Sequence, residues 1–208
     1  MLNKLTNNKF THFKLHTQYS ICEGAIKIEE LKEFCKKNKI KSLGISDTSN
    51  LCGALEFSES LSKQGTQPII GTQIITKYDD DFGFITLIAK NNIGYRNIIE
   101  LSSKSYLKNE SSAKPFCEYK DLIHNNEGII LMSGTILGFF GKLFNKGKTH
   151  KIEKLYKELS NKFENNFYIE IQRHEDKNEK NFERFNLNLS SKFNIPIIAS
   201  HETYYLDQ

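Results

Sequence analysis

No stretch of this 208-residue chain stays apolar for the roughly 18 residues that a membrane-spanning helix needs, so a transmembrane protein is excluded. Its opening, Met1 to Phe10, lacks the apolar core of a secretory signal. The four cysteines, Cys22, Cys35, Cys52 and Cys117, stand far apart and form no Cys-x-x-Cys. That argues against a disulfide framework and against a cysteine-rich zinc knuckle, and the expected compartment is a reducing cytoplasm. Arginine is scarce: only Arg96, Arg173 and Arg184 occur, so few planar forks exist to grip phosphate. The 29 basic and 25 acidic side chains leave a net charge of +4, too mild to argue by itself for nucleic-acid binding. Gly-x-Gly-x-x-Gly, the phosphate-cradling Gly-x-x-x-x-Gly-Lys-Ser/Thr and the Gly-x-Ser-x-Gly elbow are all missing. No Pro/Gly/Ser-rich linker divides the chain, which reads as one domain.

What is present is a folding pattern. Hydrophobic residues make up 38% and charged residues 26%, the balance of a chain that buries a core. Short β-branched runs alternate with amphipathic segments almost from end to end. Strands are expected at Phe10 to Thr17, Ser42 to Asp47, Pro68 to Thr76, Phe84 to Lys90, Gly128 to Ser133, Phe167 to Ile171 and Ile195 to Ala199, the last a buried strand. Helices are expected at Ile26 to Asn38, Cys52 to Gln64, Asn91 to Leu107, Gly138 to Asn145, Lys151 to Phe163 and Phe182 to Phe193. Asp79 to Gly83 reads as a turn, and Lys108 to Lys114 as a polar loop with its tip at Ser111-Ser112. Apolar strands separated by helices imply a mostly parallel sheet covered on both faces. Seven strands over this length suit a (β/α) barrel better than an open sheet, and the abrupt end at Gln208 reads as a barrel cut from something longer.

In such a barrel the functional side chains project from the C-terminal strand ends. The first strand places His12, Lys14 and His16 on one side by alternation. Later ends offer Asp47-Thr48, Gln73, Ser133-Gly134, Gln172-Arg173-His174 and Ser200-His201-Glu202. Histidines with carboxylates are a ligand set for zinc or manganese. A polar barrel mouth with hydrogen-bonded histidines fits the same spacing, and a lysine in the middle of the set repels a cation. Gly138 to Lys142 could cradle phosphate, but a tight turn into a buried helix is the plainer reading. Cys22 and Cys52 could be nucleophiles, and small packing residues describe them better.

The run FTHFKLHTQYSICEGA (Phe10 to Ala25) resembles the opening of the PHP (polymerase and histidinol phosphatase) domain of bacterial DNA polymerase III alpha subunits. LGISDTSNLCGALEF (Leu43 to Phe57), PIIGTQ (Pro68 to Gln73), GIILMSG (Gly128 to Gly134), YIEIQRH (Tyr168 to His174) and IPIIASHETYYL (Ile195 to Leu206) follow in the family's order. TLIAKNNIGYRNIIELSSKSYL (Thr86 to Leu107) is similar to a stretch peculiar to the polymerase branch. The resemblance implies a distorted seven-stranded (β/α) barrel of the PHP type, truncated at its C-terminal end. It implies that residues 1–208 are a single PHP domain and a fragment of a much longer polymerase, whose nucleotide-transfer carboxylates lie elsewhere.

The departures from the family pattern concern the metal site. An expected HxH pair is Lys14 and His16 here. An expected histidine is Thr48, an expected glutamate is Gln73, and a terminal histidine is Tyr204. His16, Asp47, His174 and Glu202 survive as vestigial metal ligands. The resulting expectation is a domain with no catalytic residues, no metal and no cofactor. It would be a structural and docking module for the proofreading exonuclease subunit and the rest of the polymerase chain, with DNA met via that polymerase. Lys14 would pair with Asp47 or Glu202 in the cation's place. The alternative is a phosphoesterase or 3′–5′ exonuclease with a reduced site holding zinc or manganese.

Overall fold

The computed structural model describes residues 10–107 and 114–206. The polar loop expected at Lys108 to Lys114 therefore falls almost wholly outside the described residues. The elements run β1 (Lys14–Leu15), α1 (Ile28–Asn38), β2 (Ser42–Thr48), α2 (Ala54–Ser62), β3 (Gln67–Tyr78), β4 (Asp81–Ala89), α3 (Asn92–Leu107), β5 (Cys117–Glu118) and α4 (Tyr119–His124). Then come β6 (Ile129–Met132), α5 (Phe139–Asn145), α6 (Thr149–Phe163), β7 (Phe167–Ile171), α7 (Glu179–Phe193), β8 (Ile197–Ala199) and β9 (Glu202–Thr203).

The main sheet is ordered β2-β3-β4-β6-β7-β8, with β5 added to β3. Its pairs are parallel except those of β4, which runs antiparallel to both β3 and β6. The sheet is thus less uniformly parallel than the alternation predicts. The cause is the Asp79-Asp80 turn, where Asp79 takes φ 54° and folds β3 straight back into β4 with no crossover helix. The aspartate run is only partly a turn, because Asp81 already belongs to β4 and is buried.

The sheet curls. β9 follows β8 almost at once and pairs in parallel with β1, Lys14 opposite Glu202. The residues leading into β1 reach β2 through a bond from Gly44 N to His12 O, 2.7 Å. A Cβ on Gly44 would lie 2.8 Å from Phe13 Cα, so the close approach of these two segments requires glycine there. These pairings carry the strand order round a distorted barrel.

Helices pack outside it. One apolar cluster joins α3, α5, α6 and α7 to β3, β4, β6 and β7, with Leu87, Ile98, Phe140 and Tyr156 at its centre. A second joins α1 and α2 to β1 and β2 through Leu15, Ile28, Leu31 and Phe57. The expectation of a buried last strand holds only for Ile195. Ile197 and Ala199 of β8 are exposed, because no helix among the described residues lies over the outer face there.

Candidate functional site

Alternation along β1 sends Leu15 out into the α1 cluster and Lys14 into the barrel interior. Lys14 is 2% exposed. Its Nζ lies 2.6 Å from Glu202 Oε1 and 3.0 Å from Glu170 Oε1. Burial works against the ammonium charge, but the two carboxylates outweigh it and hold the Lys14 pKa above its ordinary value. Burial likewise works against the Glu202 charge, and Lys14 outweighs it, so Glu202 titrates below its ordinary value. The Gln73 amide also donates to Glu202 Oε1, and the Tyr204 hydroxyl donates to Oε2 at 3.2 Å. Glu170 Oε1 further accepts from Gln172 Nε2 at 2.9 Å and from the Ser200 hydroxyl.

Asp47, at the end of β2, does something else. Its Oδ1 accepts from Thr17 N at 2.6 Å and Ser20 Oγ at 2.7 Å, and its Oδ2 accepts from Thr17 Oγ1 at 2.8 Å. The carboxylate clasps the segment between β1 and α1. Of the two partners expected for Lys14, the structure provides Glu202 and not Asp47.

His16 is fully buried and stacks on Tyr204, ring centroids 4.4 Å apart. Its Nδ1 meets Ser20 Oγ at 3.3 Å, while Nε2 has no hydrogen-bond partner among the described residues. Burial holds its pKa below the ordinary imidazole value, against the pull of Glu202. His174 stacks on His201 at 4.6 Å, and its Nε2 lies 3.0 Å from Gln172 Oε1. His12 is lowered by burial and by the nearby His201. Thr48 contacts Glu23 and, at 3.4 Å, His16 Nδ1.

The mouth therefore gathers His16, Glu202 and Lys14 as the sequence predicts, with His174 on a neighbouring stack and Asp47 engaged elsewhere. It also contains Glu170, which sequence reasoning missed. Glu170 sits inside the alternating run Phe167 to Ile171, two places before Gln172 and so on the same face. Its signal was a charge in a strand whose neighbours are all uncharged.

A divalent-metal cluster needs several lone pairs aimed at one point. Here Lys14 and Gln73 aim hydrogens at the Glu202 carboxylate. The Asp47 oxygens are satisfied by three donors. Among the described residues no group of three or more His, Cys, Asp or Glu side chains converges on a metal position. The arrangement does not fit the metal cluster that the fold family implies. What it can do chemically is hold one fixed positive charge between two carboxylates.

The chain resembles known proteins in both sequence and fold. It is 28% identical over 207 residues to the DNA polymerase III subunit alpha of Vibrio cholerae, covering 98% of this chain and 18% of that one. The same subunit of Caulobacter vibrioides is 32% identical over 204 residues (94% and 18%). That of Rickettsia conorii is 32% identical over 201 residues (96% and 17%). The chain thus spans less than a fifth of the length of these relatives. Among solved structures it resembles a protein assigned as a metal-dependent phosphoesterase from Bifidobacterium adolescentis, with TM-score 0.59 and 11% identity over 94% of this chain and 87% of that one. An amidohydrolase from Chromobacterium violaceum gives TM-score 0.57 and 8% identity over 93% and 87%. Those two likenesses concern the fold. The model of the PHP domain matches residues 12–174, most of the barrel just described, and this chain belongs to the PHP domain family.

Proposed function

We propose that residues 1–208 form a PHP domain that serves DNA replication as a part of a DNA polymerase III alpha-type chain, without hydrolysing phosphoesters itself. The observation that carries this reading is the Lys14 ammonium between Glu170 and Glu202. A fixed cation between the two carboxylates offsets part of their charge but offers no open coordination site to activate water. The relatives' names support the replicative setting. A barrel relieved of hydrolysis is then a brace for the polymerase and a docking platform for the proofreading exonuclease subunit, working in the cytoplasm. No helix among the described residues is long and apolar enough to cross a membrane.

Elemental analysis tests the first half. Protein expressed with zinc and manganese supplied, and never exposed to chelator, should carry less than about a tenth of an equivalent of either metal. One equivalent, lost on His16→Ala with His174→Ala and accompanied by phosphate release, would replace this reading with a rewired phosphoesterase. Calorimetric titration with the exonuclease subunit tests the second half.

A further inference from the structure

Between α4 and α6, at the outer end of β3, the surface opens into a cleft of about 630 Å³. Its cations come from two elements. Lys120 stands on α4, and Lys154 and Lys157 stand a turn apart on α6. All three are exposed, and none has a carboxylate partner among the described residues. The lysines around them are engaged. Lys77 pairs with Glu118 at 3.7 Å, Lys146 and Lys148 pair with Asp81, and Lys151 pairs with both Asp79 and Asp81. The only carboxylate lining the cleft is Glu158, so three ammonium groups face one negative charge.

The lining also contains a neutral donor. Tyr119 is 6% exposed, and its hydroxyl is buried without a hydrogen-bond partner among the described residues. Burial, and after it the nearby Glu158 carboxylate, hold its pKa above the ordinary phenol value, so the proton stays on at neutral pH. The ring is fixed edge-on against Tyr78, centroids 5.0 Å apart, and the Lys151 ammonium lies 4.6 Å from the Tyr78 ring centre. A buried donor without an acceptor is costly, and an oxygen-rich anion in the cleft relieves that cost. Three ammonium groups around one such O–H suit a group with several acceptor oxygens, which is a phosphate. An acidic protein segment is served less well, because a protein interface needs an apolar core and the only aliphatic side chain lining the cleft is the half-buried Ile123. Lysine grips phosphate as a point charge and does not fix its orientation, which suits a repeating backbone better than one rigid ligand.

We propose that this cleft binds the phosphodiester backbone of a DNA strand without regard to sequence. The replicative reading above supplies only the source of the phosphate, DNA. The phosphate site rests on the cleft itself, whereas the metal content measured above bears on Lys14, so either can fail without the other.

The test is the fluorescence anisotropy of a fluorescein-labelled oligothymidylate strand titrated with this chain over a range of salt concentrations. Three lysine–phosphate contacts on a single strand give a slope of about −2 for the logarithm of the binding constant against the logarithm of salt concentration. Lys154→Ala with Lys157→Ala should weaken binding roughly tenfold at about 50 mM salt and bring the slope to about −0.7. Tyr119→Phe should weaken binding severalfold and leave the melting temperature unchanged or higher, since the hydroxyl has no partner to lose. Glu158→Gln should tighten binding by removing the one opposing charge. Equal binding by wild type and every variant would put the strand elsewhere and overturn the cleft. No binding at about 50 mM salt would overturn it too. Equal displacement of the strand by polyglutamate would make the cleft a seat for an acidic protein and overturn the phosphate assignment. If thymidine triphosphate binds with the same dependence on Lys154, Lys157 and Tyr119 and the strand does not bind, the ligand is a free nucleotide and the DNA assignment is overturned.

Discussion

Lys14 brings a charge into a site where only 2% of its surface meets water, against two carboxylates of which Glu170 is wholly buried. Removing one partner from such a set leaves the others uncompensated. Lys14→Met should therefore destabilise the fold by about 3–5 kcal/mol near neutrality. The pH dependence follows from the directions of the shifts. The raised Lys14 pKa gives stabilisation that is complete below 10.5 and lost as pH climbs through the folded value above it. The depressed Glu202 pKa gives stabilisation present above 4.5 and lost as pH falls through the folded value below it. Without Lys14, burial still opposes the Glu202 charge while its largest opposing cause is gone, so Glu202 protonates at higher pH. The penalty for Lys14→Met should then shrink between about pH 8 and pH 4.5 in urea unfolding. A penalty unchanged across that range would mean that lost packing, not lost charge, is what the substitution reports. At this scale the sequence was informative about Lys14, His16 and Glu202, since strand-end alternation and motif departures both pointed there. For Glu170 it offered only a lone charge among uncharged neighbours, which was missed. In a flat sheet the second face of Phe167 to Ile171 reads as solvent-facing, and only the curl of the sheet turns that face inward.

The elements were legible where their period was long and clean. α1 and α6 came through the apolar spacing, β3 through its β-branched run, and β2 and β6 as short buried strands. β5 and α4 were not foreseen, because two and six residues are too short to show a period. The turn before β4 was foreseen, but its reading as Asp79 to Gly83 hid the role of Asp81, because the aspartates looked like loop residues. Asp81 is in fact 4% exposed at the start of β4. It accepts from Lys146 and Lys151 at 2.9 Å and from Lys148 at 2.8 Å, tying the hairpin to the α5–α6 connection. Burial opposes its charge, but the three lysines outweigh burial and hold its pKa far below the ordinary carboxylate value. Asp81→Asn would leave three ammonium groups around a neutral amide. The lysines are partly exposed, so screening limits the loss to about 2 kcal/mol at low salt. That loss should fall by half or more in about 1 M sodium chloride, read from thermal melts of variant and wild type together. A salt-independent loss would assign the tie to shape instead of charge.

For the molecule as a whole, strand and helix alternation was enough to place the barrel, because parallel strands buried on both faces leave continuous apolar runs that few other architectures produce. What alternation does not encode is closure. Here it depends on β9, two residues long, and on the segment after it. His16 N bonds to Thr203 O at 2.9 Å, and Ala25 N bonds to Tyr204 O at 3.0 Å. The same segment brings Glu202 to Lys14 and the Tyr204 ring to His16. One short stretch thus completes the strand order and the buried charge balance together, which makes the two inseparable. A chain ending at Ser200 loses all four contacts, whereas Glu202→Gln loses only the charge. The shortened chain should melt about 10 °C or more below the full chain, and clearly below Glu202→Gln. Adding Lys14→Met to the shortened chain should cost less than the same substitution costs the full chain, because one of its two partners has already gone. If the shortened chain melted within about 2 °C of the full one, the β1–β9 pair would lie outside the cooperative unit. The barrel would then be an open curl of sheet, with Lys14 held by Glu170 alone.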